Sequence, residues 1–213
     1  MINILSNKLD REEFVNQITH FPGIILGFIF LVALIYKSFL YSEPLINTVS
    51  YIIYSFGFML VYGASTVYHS QVCEKKKAFY KKVDHASIYI FMAGCYTPFV
   101  LINMQEDVKY PFFALVWAMA IFGVLYKIYS KYKNRVHSTI LYFVFGYMCY
   151  LAKDSLLDQL PLESYKLLVY GGLLYSAGAI FYMLKMIPYH HGIWHVFVIA
   201  GSTLHFFSVY LTY

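Results

Sequence analysis

Residues 190–207 read HHGIWHVFVIAGSTLHFF, an apolar stretch that begins with closely spaced histidines. With the apolar residues that follow it, the stretch is long enough to cross a bilayer as a helix, which takes about 20 mostly apolar residues. His191 and His195 are four residues apart, so they share one face of that helix. Because polar side chains are costly inside a membrane, their presence here is the first indication of a functional site.

The composition places the whole chain in a membrane. Of its 213 residues, 60% are hydrophobic and 13% are charged, whereas charged residues make up about 25% of soluble proteins. We therefore predict an all-α, polytopic membrane protein with one domain over residues 1–213 and a seven-helix bundle. The predicted spans are about 21–41, 48–69, 84–104, 111–128, 137–152, 165–185 and 191–212.

The basic residues predict the orientation of the bundle, because loops rich in Lys and Arg stay on the cytoplasmic side. With the N-terminus inside, most of the 16 Lys and Arg residues lie in cytoplasmic segments. The exceptions are Lys37, Lys109, Lys153 and Lys166. This distribution predicts a cytoplasmic N-terminus, an outside C-terminus and a cytoplasmic amphipathic segment over residues 1–20. Residues 153–165, on the outer side, are expected to form a short interfacial segment.

Polar residues from several predicted helices fall at one depth near the cytoplasmic boundary. Two of them, in the run STVYH, are four residues apart at the end of the second predicted span. The full set is His20, Ser65, His69, Asp84, His191 and His195.

These residue types suit a catalytic zinc site, in which protein ligands leave one tetrahedral position to water. His69, His191 and His195 are the candidate ligands. Asp84 is the candidate group that orients or deprotonates the water, and Ser65 is a candidate donor to the water or to an oxyanion.

Other interpretations of the same residues stay open. A histidine inside a membrane is more often a hydrogen-bonding residue of the bundle than a metal ligand. His190 could replace His191 as the ligand, although no histidine follows it four residues later. The metal hypothesis also requires the second, third and seventh helices to be adjacent.

The run EEFVNQITH precedes the first predicted span. Glu13, Asn16 and His20 follow helical spacing and share a face. They predict either an interfacial amphipathic turn or a polar plug beneath the metal site.

Several function classes lack their motifs. The sequence contains no phosphate-binding loop, nucleophile elbow or dinucleotide fingerprint. Its basic loops are too short for a nucleic-acid module, so membrane lipids are the expected partners and no nucleic acid is expected.

The runs EEFVNQITH, STVYH, KKVDHASIYI and HHGIWHVFVIAGSTLHFF together resemble the motifs of bacterial hemolysin III-like proteins. These proteins are grouped with the progestin and adipoQ receptor family and, more distantly, with alkaline ceramidases. The resemblance implies a bacterial plasma-membrane protein with a zinc site near the inner leaflet. It implies His69, His191 and His195 as zinc ligands, Asp84 as a contact through water, and Ser65 beside it.

Three functions are compatible with this resemblance. The first is zinc-dependent hydrolysis of a lipid amide or ester within the inner leaflet. The second is a non-enzymatic sensor or regulator of membrane homeostasis in which zinc is structural. The third is a cytolytic pore, which the name hemolysin implies but which the residues themselves do not favour.

Overall fold

The computed structural model describes residues 2–129 and 135–212, with side chains from residue 11 and, after the gap, from residue 136. Within these ranges there is no strand, and seven helices are long and apolar enough to cross a membrane. The main α-helices are α1 (Ile2–Leu40), α2 (Leu45–His69), α3 (Glu74–Pro98), α4 (Glu106–Tyr129), α5 (Arg135–Gly146), α6 (Leu162–Met183) and α7 (His190–Tyr210). The fifth candidate span, Val136–Gln159, consists of α5 and the shorter helical turns that follow it. The chain is therefore an all-α, multi-pass integral membrane protein, as its sequence predicts.

The first helix begins much earlier than its apolar stretch predicts. Residues 1–20, predicted as a cytoplasmic amphipathic segment, form the beginning of one continuous helix that starts at Ile2. The part able to cross a membrane is Arg11–Leu40. Asn16 and His20 are buried by neighbouring helices. Local hydropathy does not predict that the helix continues through these polar residues, because they are buried by packing against other helices.

The third helix also begins earlier than the prediction of 84–104. It starts at Glu74, so the lysine-rich run before Asp84 is helical and Asp84 lies about 15 Å along the helix. The helix then widens into a π-helical turn over Phe99–Asn103. The lysines lower the mean hydropathy of this region, which explains why the predicted start was late.

The fifth span is irregular at its outer end. The prediction of a helix over 137–152 is only partly correct, because α5 ends at Gly146 and continues as a 3-10 helix over Tyr147–Ala152. Two short turns, Lys153–Leu156 and Leu157–Gln159, then lead to α6. The segment predicted to be interfacial thus consists of short helical turns and the beginning of α6.

The helices that carry the candidate site are held together through α1, which packs against both α2 and α7. Glycines let other helix pairs approach closely. A Cβ atom added at Gly171 on α6 would lie 3.0 Å from the carbonyl oxygen of Gly201 on α7. Small residues at such crossings are typical of membrane helices, where association depends on close packing.

We expect a membrane-impermeant maleimide to label Cys73 from the cytoplasmic side only. Cys73 is exposed in the turn between α2 and α3, which the basic residues place inside, whereas Cys95 and Cys149 are partly buried. The mass shift of the protein would be compared between intact cells and inverted membrane vesicles. As a control for the opposite side, Asp154→Cys in a Cys73→Ser background should be labelled in intact cells, since the Asp154 side chain is 95% exposed. Labelling of Cys73 in intact cells would reverse the orientation.

Candidate metal centre

Three histidines from two helices come together at the predicted cytoplasmic end of the bundle. His69 is the last residue of α2, and His191 and His195 lie in the first two turns of α7. Each histidine has one ring nitrogen in this cluster, and the three nitrogens all lie within 4.8 Å of one another. We refer to this below as the 4.8 Å condition. Among the described residues, this is the group of His, Cys, Asp and Glu side chains placed to hold a metal ion. We call it the histidine group; His190, the alternative ligand, is not part of it.

The geometry of the histidine group fits a tetrahedral metal ion. The Nε2 atoms of His69 and His191 are 3.2 Å apart. Two nitrogens at the usual Zn–N distance of about 2.0–2.1 Å would be about 3.3 Å apart at a tetrahedral angle. The Nε2 atom of His195 is buried and has no hydrogen-bond partner in the described part of the chain. Such a nitrogen would be costly in a bilayer, and coordination to a metal would satisfy it.

Glu13 on α1 contacts Nδ1 of His69, the ring nitrogen that does not face His191. Its Oε2 lies 2.6 Å from Nδ1 of His69, and its Oε1 lies 2.8 Å from Nζ of Lys77. A proton on Nδ1 that is donated to the carboxylate leaves Nε2 with its lone pair. Carboxylate–histidine pairs of this kind orient a ligand and increase its basicity.

The backbone of α1 holds His195 in the same way. The Nδ1 atom of His195 lies 3.0 Å from the carbonyl oxygen of Asn16 and 3.0 Å from Oγ1 of Thr19. The Thr19 hydroxyl is in position to donate to the carbonyl of Val15, at 2.8 Å, so it is able to accept from the imidazole. His195 is therefore fixed as the tautomer that leaves Nε2 free for a metal.

The close approach of α1 to α7 depends on the glycine between the two histidines of α7. A Cβ atom at Gly192 would lie 2.9 Å from Cγ1 of Val15 and 3.4 Å from Oδ1 of Asn16. Thr19, Lys77 and Gly192 belong to the site although they were not singled out from the sequence. For Gly192 a signal was available, since it lies inside the HHGIWH motif.

Neither of the two predicted catalytic residues belongs to the histidine group. Asp84 on α3 is buried, and its Oδ2 lies 3.0 Å from Nδ1 of His85 without the alignment of a hydrogen bond. Ser65 is buried on α2, one turn before His69. Within the described residues, only the three histidines have ring nitrogens within 4.8 Å of one another. Of the helices required to be adjacent, α2 and α7 meet at these nitrogens, and α3 packs against α2.

A cavity of about 300 Å³ extends away from the histidine group between α3, α5, α6 and α7. At one end it is lined by His20, Asp84, His85 and His191. Most of the remaining wall is apolar or aromatic, as with Phe91, Met92, Phe143, Leu168, Val169 and Val198. Asp84 and His191 thus face one internal space from different helices.

Comparison with known proteins supports this assignment of the fold and the motifs. A family model described as Haemolysin-III related matches residues 10–206. The chain is 38% identical over 199 residues to the Hemolysin-3 homolog of Bacillus subtilis (strain 168), and the match covers 93% of each chain. It is 35% identical over 199 residues to the Hemolysin-3 of Bacillus cereus, covering 93% of this chain and 90% of that one. It is 27% identical over 166 residues to the Monocyte to macrophage differentiation factor of Homo sapiens, and the match covers 74% of this chain and 68% of that one.

We expect Glu13→Gln to weaken metal binding about 10–100-fold, because an amide is a poorer acceptor for the Nδ1–H of His69 than a carboxylate. The dissociation constant for Zn²⁺ would be measured by competition with a chromophoric chelator in detergent. Glu12→Gln is the matched control, because it removes the same charge from the adjacent position on a different face of α1. Equal affinities in the two variants would contradict the role of Glu13.

Proposed function

The chain belongs to the haemolysin-III related family, and we propose that it is a zinc-dependent hydrolase that cleaves an amide or ester bond of a membrane lipid. The observation that carries the proposal is that His191, a member of the histidine group, lines a mainly apolar internal cavity together with Asp84. A lipid whose chain occupied the cavity would present its polar linkage to the histidines. In the predicted orientation, this position corresponds to the inner leaflet.

His69, His191 and His195 would hold the zinc ion. When bound, zinc would supply a Lewis acid for the carbonyl and an activated water. Glu13 and the carbonyl of Asn16 keep the proton on Nδ1 of their histidines, so that Nε2 faces the shared space.

The number of ligands favours catalysis over a structural role. Structural zinc sites are usually closed by four protein ligands, whereas catalytic sites use three and leave a position open. In the described ranges the histidine group has three members. The competing hypothesis, a membrane-state regulator with structural zinc, needs a fourth protein ligand such as Asp84, and the Asp84 carboxylate does not satisfy the same distance condition.

Asp84 and Ser65 would act on the reacting groups. Asp84 lines the cavity together with His191, so its carboxylate is available to accept the proton of the attacking water. Ser65 is buried one turn from His69, where its hydroxyl would donate to the oxyanion that develops on the carbonyl.

The cavity supports a lipid as the substrate class. Its volume of about 300 Å³ is at the lower end of the range for small-molecule sites, about 300–1,000 Å³. Its mainly apolar wall would bind a hydrocarbon chain, and His191 and Asp84 are among the polar residues that line it.

We expect the purified protein to hydrolyse long-chain N-acyl amides or esters in mixed micelles, with zinc-dependent release of fatty acid. Asp84→Asn should lower kcat by at least about 100-fold, because it removes the general base. Product release would be measured by mass spectrometry, with zinc content and thermal unfolding measured for each variant. Asp107→Asn is the control, since Asp107 is an exposed acid at the opposite end of the bundle.

One result would contradict the proposed role of Asp84, and another would contradict the hydrolase itself. Unchanged turnover in Asp84→Asn that retains its zinc would remove Asp84 from the mechanism. Absence of hydrolysis, together with dye leakage from liposomes that persists after metal removal, would favour the cytolytic pore; the Bacillus cereus relative is named Hemolysin-3.

A further inference from the structure

His20 has a buried side chain whose hydrogen-bonding capacity is unused. It is 2% exposed, and neither Nδ1 nor Nε2 has a hydrogen-bond partner among the described residues. A buried polar group without a partner is destabilising, and here both polar atoms of one ring are in that state. Such a side chain suggests a partner that the polypeptide itself does not supply.

Packing fixes the orientation of the His20 ring. The ring stacks on His195 with centroids 3.5 Å apart and an interplanar angle of 23°. Tyr62 on α2 contacts it edge-on at 5.0 Å, and Trp194 on α7 lies 6.3 Å away. The ring is therefore placed by contacts with two other helices rather than by hydrogen bonds.

His20 does not belong to the histidine group. Although it stacks on His195, its nitrogens do not satisfy the 4.8 Å condition that His69, His191 and His195 satisfy together. It lines the cavity instead, at the end formed with Asp84, His85 and His191. Its available partner is thus whatever occupies the cavity beside the metal centre.

We propose that His20 hydrogen-bonds the polar linkage of a lipid bound in the cavity, and that it is a substrate-binding residue on α1. A neutral imidazole has one donor and one acceptor, and neither nitrogen of His20 is committed to a protein group. It is therefore able to donate to a carbonyl or accept from an amide N–H. The choice of a lipid ligand rests on the proposed function; the presence of a ligand partner rests on the buried nitrogens themselves.

The two tryptophans of the chain allow a direct test. Trp194 lines the cavity beside His20, whereas Trp117 lies on α4. In a Trp117→Phe background, fluorescence reports on Trp194 alone. A bromine atom quenches tryptophan only at short range, so a brominated lipid locates its own labelled carbon. The probes are 2-bromohexadecanamide, 16-bromohexadecanamide and 1-bromohexadecane, titrated into the zinc-loaded protein in detergent.

We expect 2-bromohexadecanamide to quench Trp194 strongly and 16-bromohexadecanamide to quench it weakly, because the amide lies beside His20. His20→Phe keeps the aromatic stack and removes both nitrogens. It should weaken amide binding about tenfold or more and leave binding of 1-bromohexadecane within about twofold. His20→Asn or His20→Gln should recover part of the amide affinity, which a packing role alone would not explain.

Equal amide affinity in wild type and in folded His20→Phe would overturn the proposal and leave His20 a packing residue. Loss of zinc from His20→Phe, with normal thermal unfolding, would overturn it in favour of a metal ligand. The result also separates the two proposals. His20-dependent binding without hydrolysis would contradict the hydrolase alone, and hydrolysis with His20-independent binding would contradict this inference alone.

Discussion

The arrangement of the site depends on the high cost of a polar group that lacks a partner inside a bilayer. Two contacts from α1 meet this requirement, one from the Glu13 carboxylate to His69 and one from the Asn16 carbonyl to His195. Each occupies Nδ1, so each imidazole offers Nε2 to the shared space. Without α1, the histidines of α2 and α7 would have neither a defined tautomer nor a fixed distance between them.

The position of α1 is also fixed at its other end. Lys37 and Glu43 form a buried ion pair with 3.5 Å between Nζ and Oε1, and Nζ of Lys37 lies 3.2 Å from the Tyr51 hydroxyl. Buried ion pairs contribute little net stability, but the loss of one partner is destabilising because the other charge is left buried without compensation. Lys37 thus links the outer end of α1 to the α1–α2 connection through Glu43 and to α2 through Tyr51.

Much of the fold was predictable because hydropathy and helical spacing are local properties. The seven apolar stretches and the pairing of His191 with His195 follow from them. The start of α1 was missed because tertiary burial, not local hydropathy, accommodates polar residues such as Asn16 and His20. The start of α3 was missed because its first turns are rich in lysine, which lowers the local hydropathy. The partner of His195 was not predictable, since a backbone carbonyl leaves no trace in residue identity. The location of Asp84 across a cavity depends on how helices distant in sequence pack.

The central claim is that His69, His191 and His195 bind one zinc ion, and elemental analysis of the purified protein tests it most directly. Wild type and His190→Ala should each contain close to one zinc per chain after purification without chelators. His191→Ala, which differs from that control by one position, should contain almost none. Equal zinc in His191→Ala and wild type, or no zinc in any of the three, would contradict the claim.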